Sequence, residues 1–179
     1  MGTYHHHNYP PCLAEKLGDR GIDHSPIYGF ANDGFPVHGP WQKSGILAKS
    51  CYAKRDFSAA SVTGCADGTR SCVLKDIFDY TKGSTTVAKG PVEGSTVSTQ
   101  SGNKISSDVG IYLEDYFYNA SCFANEESAL NKFNGHDHDG HGFHYHMTID
   151  FMGTPTFPFV LGPVFYGCVS GKYFIPQVN

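Results

Sequence analysis

The sequence predicts a mainly β fold: one sandwich- or barrel-like domain over residues 1–179, with a short helix near 125–134 and long loops tied by disulfides. Three observations carry this. Eleven Tyr and thirteen Phe raise the aromatic share to 14% of the 179 residues, and aromatics favour the half-buried pleated surface of a strand. Twenty-one Gly and ten Pro supply turn positions throughout. Few stretches carry helix signals, as expected for strands joined by turns.

The elements follow in chain order. Ile27–Ala31 and Phe35–His38 flank Asn32-Asp33-Gly34, and a short Asn/Asp-Gly turn between apolar runs is a strong hairpin signal. Pro36 lacks a backbone N–H and places the second run at a sheet edge or in an irregular stretch. Residues 42–107 differ from their flanks. They hold most of the Lys and Arg and many Ser and Thr, and read as an insertion-like excursion, Ser/Thr/Gly-rich from Gly83 to Ser107. Ile111–Tyr118 reads as a strand. Asn125–Phe133 reads as the helix: Asn125 caps it, Glu126 and Glu127 fill its first turn, and Asn134-Gly135 ends it. A strand from Phe143 to about Phe151 and a Pro/Gly/aromatic tail complete the chain.

Charge and cysteine content narrow the function classes. The formal charge is −4 and no basic patch is present, which argues against nucleic acid and anionic membranes as partners. No apolar run reaches the roughly 18–20 residues of a membrane span. The start, Met1-Gly2-Thr3-Tyr4, has neither a charged nor an apolar leader region, so an exported chain is expected to be a mature or trimmed form. Export is expected from the cysteines. Cys12, Cys51, Cys65, Cys72, Cys122 and Cys168 include no CxxC pair, and an even, scattered set reads as a disulfide framework of a secreted protein. Cys65 and Cys72 bracket a polar loop and form the best local pair. Asn119-Ala120-Ser121 is a sequon that makes Asn119 a candidate glycan site.

The histidines supply the chemistry. Five of the ten fall between 136 and 146, and three more are consecutive at 5–7. In a strand, residues i and i+2 share a face. His144 and His146 therefore project together, as do His5 and His7. Two neighbouring strands carrying such pairs bring four imidazoles to one spot, which suits tetrahedral Zn or tetragonal Cu(II). His38, His136, His138 and His141 are weaker candidate ligands, and His24, like His38, reads first as a structural hydrogen-bonder. Asp137 and Asp139 alternate with histidines and can orient ligand imidazoles. They also suit calcium, but the Glu that completes an EF-hand loop is missing, so calcium is the weaker choice.

The motifs resemble those of the YHYH-domain proteins. The tetrapeptide occurs twice in altered form, as Tyr4-His5-His6-His7 and Phe143-His144-Tyr145-His146. Between and beyond these copies the order also resembles the family: Gly29–Pro40, then Tyr112 to Tyr118, then Leu130–Gly135, then Phe157-Pro158 and Gly167-Cys168. The segment 42–107 stands apart from it. The resemblance implies an extracytoplasmic β-rich domain with clustered histidines and does not imply an activity. One departure concerns cysteine. The family's Leu-Asp-x-Cys-Asn-Gly element has Phe133 where the cysteine stands, which leaves Cys168 in need of another partner, and Cys122 is the expected one.

Three functions fit these readings. The first is an extracellular, non-enzymatic domain that binds copper or zinc through His5, His7, His144 and His146. The second is a self-assembling subunit of an extracellular fibre or surface layer, with metal as a staple. The third is a metal-dependent oxidase or hydrolase using Glu114 or Asp115 as acid or base. No Ser-His-Asp signature, phosphate loop or dinucleotide fingerprint supports the last, and no catalytic residue is assigned.

Overall fold

A computed structural model describes residues 6–138 and 140–169. The elements in order are α1 (Pro11–Leu17), β1 (Ile27–Phe30), β2 (Pro36–His38), β3 (Trp41–Lys43), β4 (Ile46–Leu47), β5 (Tyr52–Lys54) and β6 (Cys72–Leu74). There follow β7 (Ser84–Thr86), β8 (Thr96–Ser98), β9 (Lys104–Ser106), β10 (Tyr116–Tyr118), α2 (Ala120–Asn125), β11 (Gly135–Asp137) and β12 (Phe143–His146). The chain is β-rich, with its strands grouped in several small sheets. It divides into two compact units: residues 52–120, and the remainder on either side of them. No helix among the described residues is long and apolar enough to cross a membrane.

The first unit is organised by a four-stranded sheet in the order β1-β2-β12-β11. The predicted hairpin joins β1 to β2, with Phe30 opposite Pro36 and Gly34 in the left-handed region at φ 86°. Its second strand is not at an edge. β2 lies between β1 and a parallel β12. Pro36 is tolerated because it is the first residue of the strand, where its missing N–H costs little.

Strand alternation gives this sheet two unlike faces. Val37 and Tyr145 pair across β2 and β12 and, with Met147, form the buried apolar cluster. Tyr9, Tyr28, Phe35, Phe133 and Phe143 pack against it. Residues one step along in each strand face the other way. His146 pairs with His38, and His144 pairs with His136, so four imidazoles share the second face.

The short helix begins five residues earlier than the sequence signals place it. α2 ends at Asn125, where a helix over 125–134 would begin. Lys49 explains the shift. Its N–H donates to Ser128 and its carbonyl accepts from Leu130, which holds 128–130 extended in a parallel bridge. Leu130 is thereby fully buried. Glu126 and Glu127, read as first-turn helix residues, pair with Lys49 and Lys43 instead. A second helix, α1, starts with Pro11 at its first turn and ends at Gly18 in the left-handed region. Likewise, β12 ends at His146 rather than running on to Phe151, because Asp150 turns the chain through hydrogen bonds to the N–H groups of Met152 and Thr154.

The second unit is built from ribbons β5–β10, β6–β7 and β8–β9. Its centre is polar. Asp115 accepts two hydrogen bonds from Arg70, at 2.9 and 3.0 Å, and further ones from the N–H groups of Gly110 and Tyr112. These backbone bonds tighten residues 113–115 into a 3₁₀ turn, so only Tyr116–Tyr118 of the expected 111–118 strand is extended. Arg55, 3% exposed, donates to the carbonyls of Thr63, Cys72 and Glu114 and lies against a disulfide.

That disulfide joins Cys65 to Cys72, and a second joins Cys51 to Cys122. The expected Cys122–Cys168 bond does not form: Cys122 at the start of α2 meets Cys51, while Cys12 and Cys168 are exposed free thiols. Asn119 follows β10 and is half-buried.

Candidate metal centre

The histidine face of the four-stranded sheet is completed by a loop. His24 reaches it from the segment before β1. Its neighbour Ser25, 1% exposed, is pinned on three sides: its N–H donates to Trp41 O, its hydroxyl donates to Asp19, and the same hydroxyl accepts from Trp41 N–H. Two glycines permit this packing. Gly21 has φ 70°, and a side chain there would collide with Trp41. A side chain at Gly39 would collide with Asp19 and Tyr28.

His24, His136, His144 and His146 then form one group whose ligand nitrogens all lie within 4.8 Å of one another. His144 and His146 are completely buried, His136 is 7% exposed and His24 is half-buried. The ring centroids of five of their pairs are 4.8–5.1 Å apart, all edge-on rather than stacked. Four imidazoles around one ion need such a mutual tilt to point their nitrogens inward.

Backbone carbonyls fix which nitrogen points inward. His144 Nδ1 donates to Gly142 O at 2.7 Å, His146 Nδ1 to Gly39 O at 2.6 Å, and His24 Nδ1 to Ser25 O at 2.9 Å. A neutral ring that donates through Nδ1 carries a bare lone pair on Nε2. Yet His24 Nε2 and His144 Nε2 face each other at 3.1 Å. Two lone pairs at that distance repel unless a cation lies beside both. The second close contact, His146 Nε2 to His136 Nε2 at 3.1 Å, can close as an ordinary hydrogen bond if His136 carries its proton there. Protonation of the rings is opposed. Burial, then neighbouring imidazoles, depresses His136 to about 3, and burial depresses His144 to about 4. Burial holds His146 well below its usual value and also lowers His24 and His38. At neutral pH these rings are uncharged donors.

The donor set fits a metal ion. Zn–N bonds of about 2.0–2.1 Å in a tetrahedron place the nitrogens about 3.4 Å apart, close to the observed 3.1 Å contacts. All four donors are nitrogen, which suits zinc or copper; calcium takes oxygen ligands, and the group contains none. The cluster can therefore hold a metal.

Of the residues singled out in the sequence, His144 and His146 stand in the group, joined by His136 across β11. His38, His141 and His138 surround it: His38 and His144 have centroids 4.7 Å apart, His141 stacks on His24 at 4.7 Å, and His138 stacks on His136 at 5.3 Å. His7 is exposed and does not belong to the group, while His5 and Asp139 lie outside the described residues. Asp137 is exposed, and alternation turns it away from the His136 face. Among the described residues, carbonyls rather than aspartates orient the rings of His24, His144 and His146. His24 carried no sequence signal beyond being a histidine. Glu114 is exposed, and Asp115 is consumed by Arg70 and two backbone N–H groups.

The molecule is thus a β-rich, disulfide-bonded protein with a buried histidine cluster able to take a metal. A family model described as "YHYH protein" matches residues 1–95, more than half of the chain; the chain belongs to the YHYH family. The matched part includes Tyr4–His7, His24 and His38, whereas His136, His144 and His146 lie beyond it. No curated protein and no solved structure matches the chain.

Proposed function

We propose that this chain is an extracellular, non-enzymatic domain that binds one copper or zinc ion through His24, His136, His144 and His146. One observation carries the reading: His24 and His144 both spend Nδ1 on carbonyls, so their facing Nε2 atoms need a cation between them. When bound, the ion supplies a positive centre that ties the loop at His24 to β11 and β12. The residues do the rest. Gly142, Gly39 and Ser25 carbonyls hold the rings in one tautomer, and the aromatic packing behind Tyr145 holds the sheet.

Four protein ligands close a tetrahedral shell, and a closed shell leaves no position for a reacting water. That favours binding over catalysis. Export is supported by the two disulfides, since such bonds persist in oxidising compartments, and Asn119 is the glycan position of this reading.

Elemental analysis of protein purified without added metal tests it. Copper or zinc near one ion per chain, lost in His144→Ala, is the expected result. Sub-stoichiometric metal in every preparation, with none taken up on titration, overturns it.

A further inference from the structure

Asp19 is not one of the four clustered residues, yet it lies behind two of them. Its Oδ2 accepts from the Ser25 hydroxyl at 2.7 Å and from the Tyr28 hydroxyl at 2.9 Å. The carboxylate is half-buried and makes no ion pair among the described residues. Drawing a carboxylate out of water without a cation is unfavourable unless hydrogen bonds offset it, so these two donors hold it where it stands.

The carboxylate reaches the cluster by two routes. The first runs through Ser25. Asp19 fixes the hydroxyl of that residue, and the carbonyl of the same residue accepts from His24 Nδ1 at 2.9 Å and from His38 Nδ1 at 2.7 Å. The second runs through Gly39. A Cβ on Gly39 would fall on Asp19 Oδ2, on the Tyr28 ring and on the Ser25 hydroxyl, so this knot of three side chains packs directly against the Gly39 backbone. The Gly39 carbonyl in turn accepts from His146 Nδ1 at 2.6 Å. One carboxylate thus braces the carbonyls that orient His24 on its loop and His146 on β12. His144 is oriented separately, by Gly142. If Asp19 is removed, Ser25 and Gly39 can shift, and two Nε2 lone pairs lose their fixed directions while the third keeps its own.

We propose that Asp19 is a positioning residue of the metal centre, setting His24 and His146 for copper or zinc through the Ser25 and Gly39 carbonyls. This rests on the four-histidine reading above. The test measures affinity of the full chain for Cu(II), and separately for Zn(II), by competition against a chelator, together with the electron paramagnetic resonance spectrum of the copper-loaded protein. Asp19→Ala is expected to weaken binding about 10–100-fold, the usual loss when a group that orients a ligand histidine is removed, and to alter the copper spectrum. Asp19→Asn keeps an oxygen able to accept both hydroxyls, and is expected to restore affinity and spectrum to near those of the parent. Tyr28→Phe removes one of the two donors and keeps the ring; it is expected to show a smaller loss in the same direction, and it carries the test if Asp19→Ala misfolds. A role in the fold alone would lower the melting temperature and leave the folded variant with the parent's affinity and spectrum. That result in Asp19→Ala, or in Tyr28→Phe where Asp19→Ala misfolds, overturns the positioning role and leaves the four-histidine site standing, as does an Asp19→Asn variant as impaired as Asp19→Ala. Failure of the parent to bind either ion overturns both readings.

Discussion

The two units of this protein bury polar groups in opposite ways. In residues 52–120 the polar interior closes on itself. Asp115 receives both arms of Arg70 and two backbone N–H groups, and Arg55 spends its donors on three carbonyls and a disulfide. In the other unit the histidine face is closed on its outer side only. Carbonyls take the Nδ1 protons, and the inner Nε2 lone pairs are left facing one another. A satisfied polar network rigidifies a fold. A network whose acceptors converge with too few donors can take a cation that the chain itself does not supply. Position in the interior is similar in both cases; what separates structure from function is the count of donors against acceptors.

The largest effect expected from this contrast is on metal affinity. Removing a group that only orients a ligand histidine already costs roughly 10–100-fold in affinity. His144→Ala and His146→Ala, which remove ligands outright, are expected to weaken copper or zinc binding by more than about 100-fold in competition against a chelator. Arg70→Ala is expected to leave that affinity unchanged. It should instead destabilise the second unit by about 3–5 kcal/mol, because it strands a buried carboxylate. Denaturant melts with and without metal separate the two outcomes. If Arg70→Ala impaired binding as strongly as His144→Ala, the division of roles would fail.

The disulfides give the next effect. Cys51 and Cys122 are 71 residues apart, and Cys65 and Cys72 only 7. Loop-closure entropy makes the first worth about 4 kcal/mol and the second about 2. Paired Ser replacements, compared by equilibrium unfolding, should keep that order.

Acid should discriminate the units in the metal-free protein. The cluster histidines have folded values below the ordinary value of about 6.5, so the unfolded chain binds more protons in the acidic range. Their contribution to stability is therefore complete above about 6.5 and declines as pH falls from there toward about 4 for His144 and about 3 for His136. Added copper or zinc should raise the melting temperature at neutral pH and lose that effect under the same acidification, since ligand rings must be unprotonated. A melting temperature that is flat from pH 7 to pH 5, with and without metal, would contradict the burial of neutral rings. The smallest expected effect on affinity is at His7, which is exposed and outside the group: His7→Ala should leave metal affinity measurably unchanged.

Sequence reasoning reached the β class, the Asn-Asp-Gly hairpin and the shared face of His144 and His146, because each follows from local pattern. It did not reach what depends on non-local pairing. His38 meets His146 only because β2 and β12 run parallel, more than a hundred residues apart in the chain. His24 meets His144 only because Ser25 is locked between Trp41 and Asp19. The helix expected over 125–134 yielded to Lys49, whose backbone offers residues 128–130 better bonds than a short helix offers itself. The repeat of the tetrapeptide drew attention to His5, which lies outside the described residues, and to His7; among the described residues the partners of His144 and His146 come from a loop and from β11, neither of which carries a copy of it.

X-ray absorption at the metal edge of the loaded protein tests the central claim most directly. A first shell of nitrogen at about 2.0–2.1 Å, with the outer-shell scattering of several imidazoles that weakens in His144→Ala, is the predicted result. A shell dominated by oxygen or sulfur, or an imidazole signal unchanged by that substitution, would contradict it.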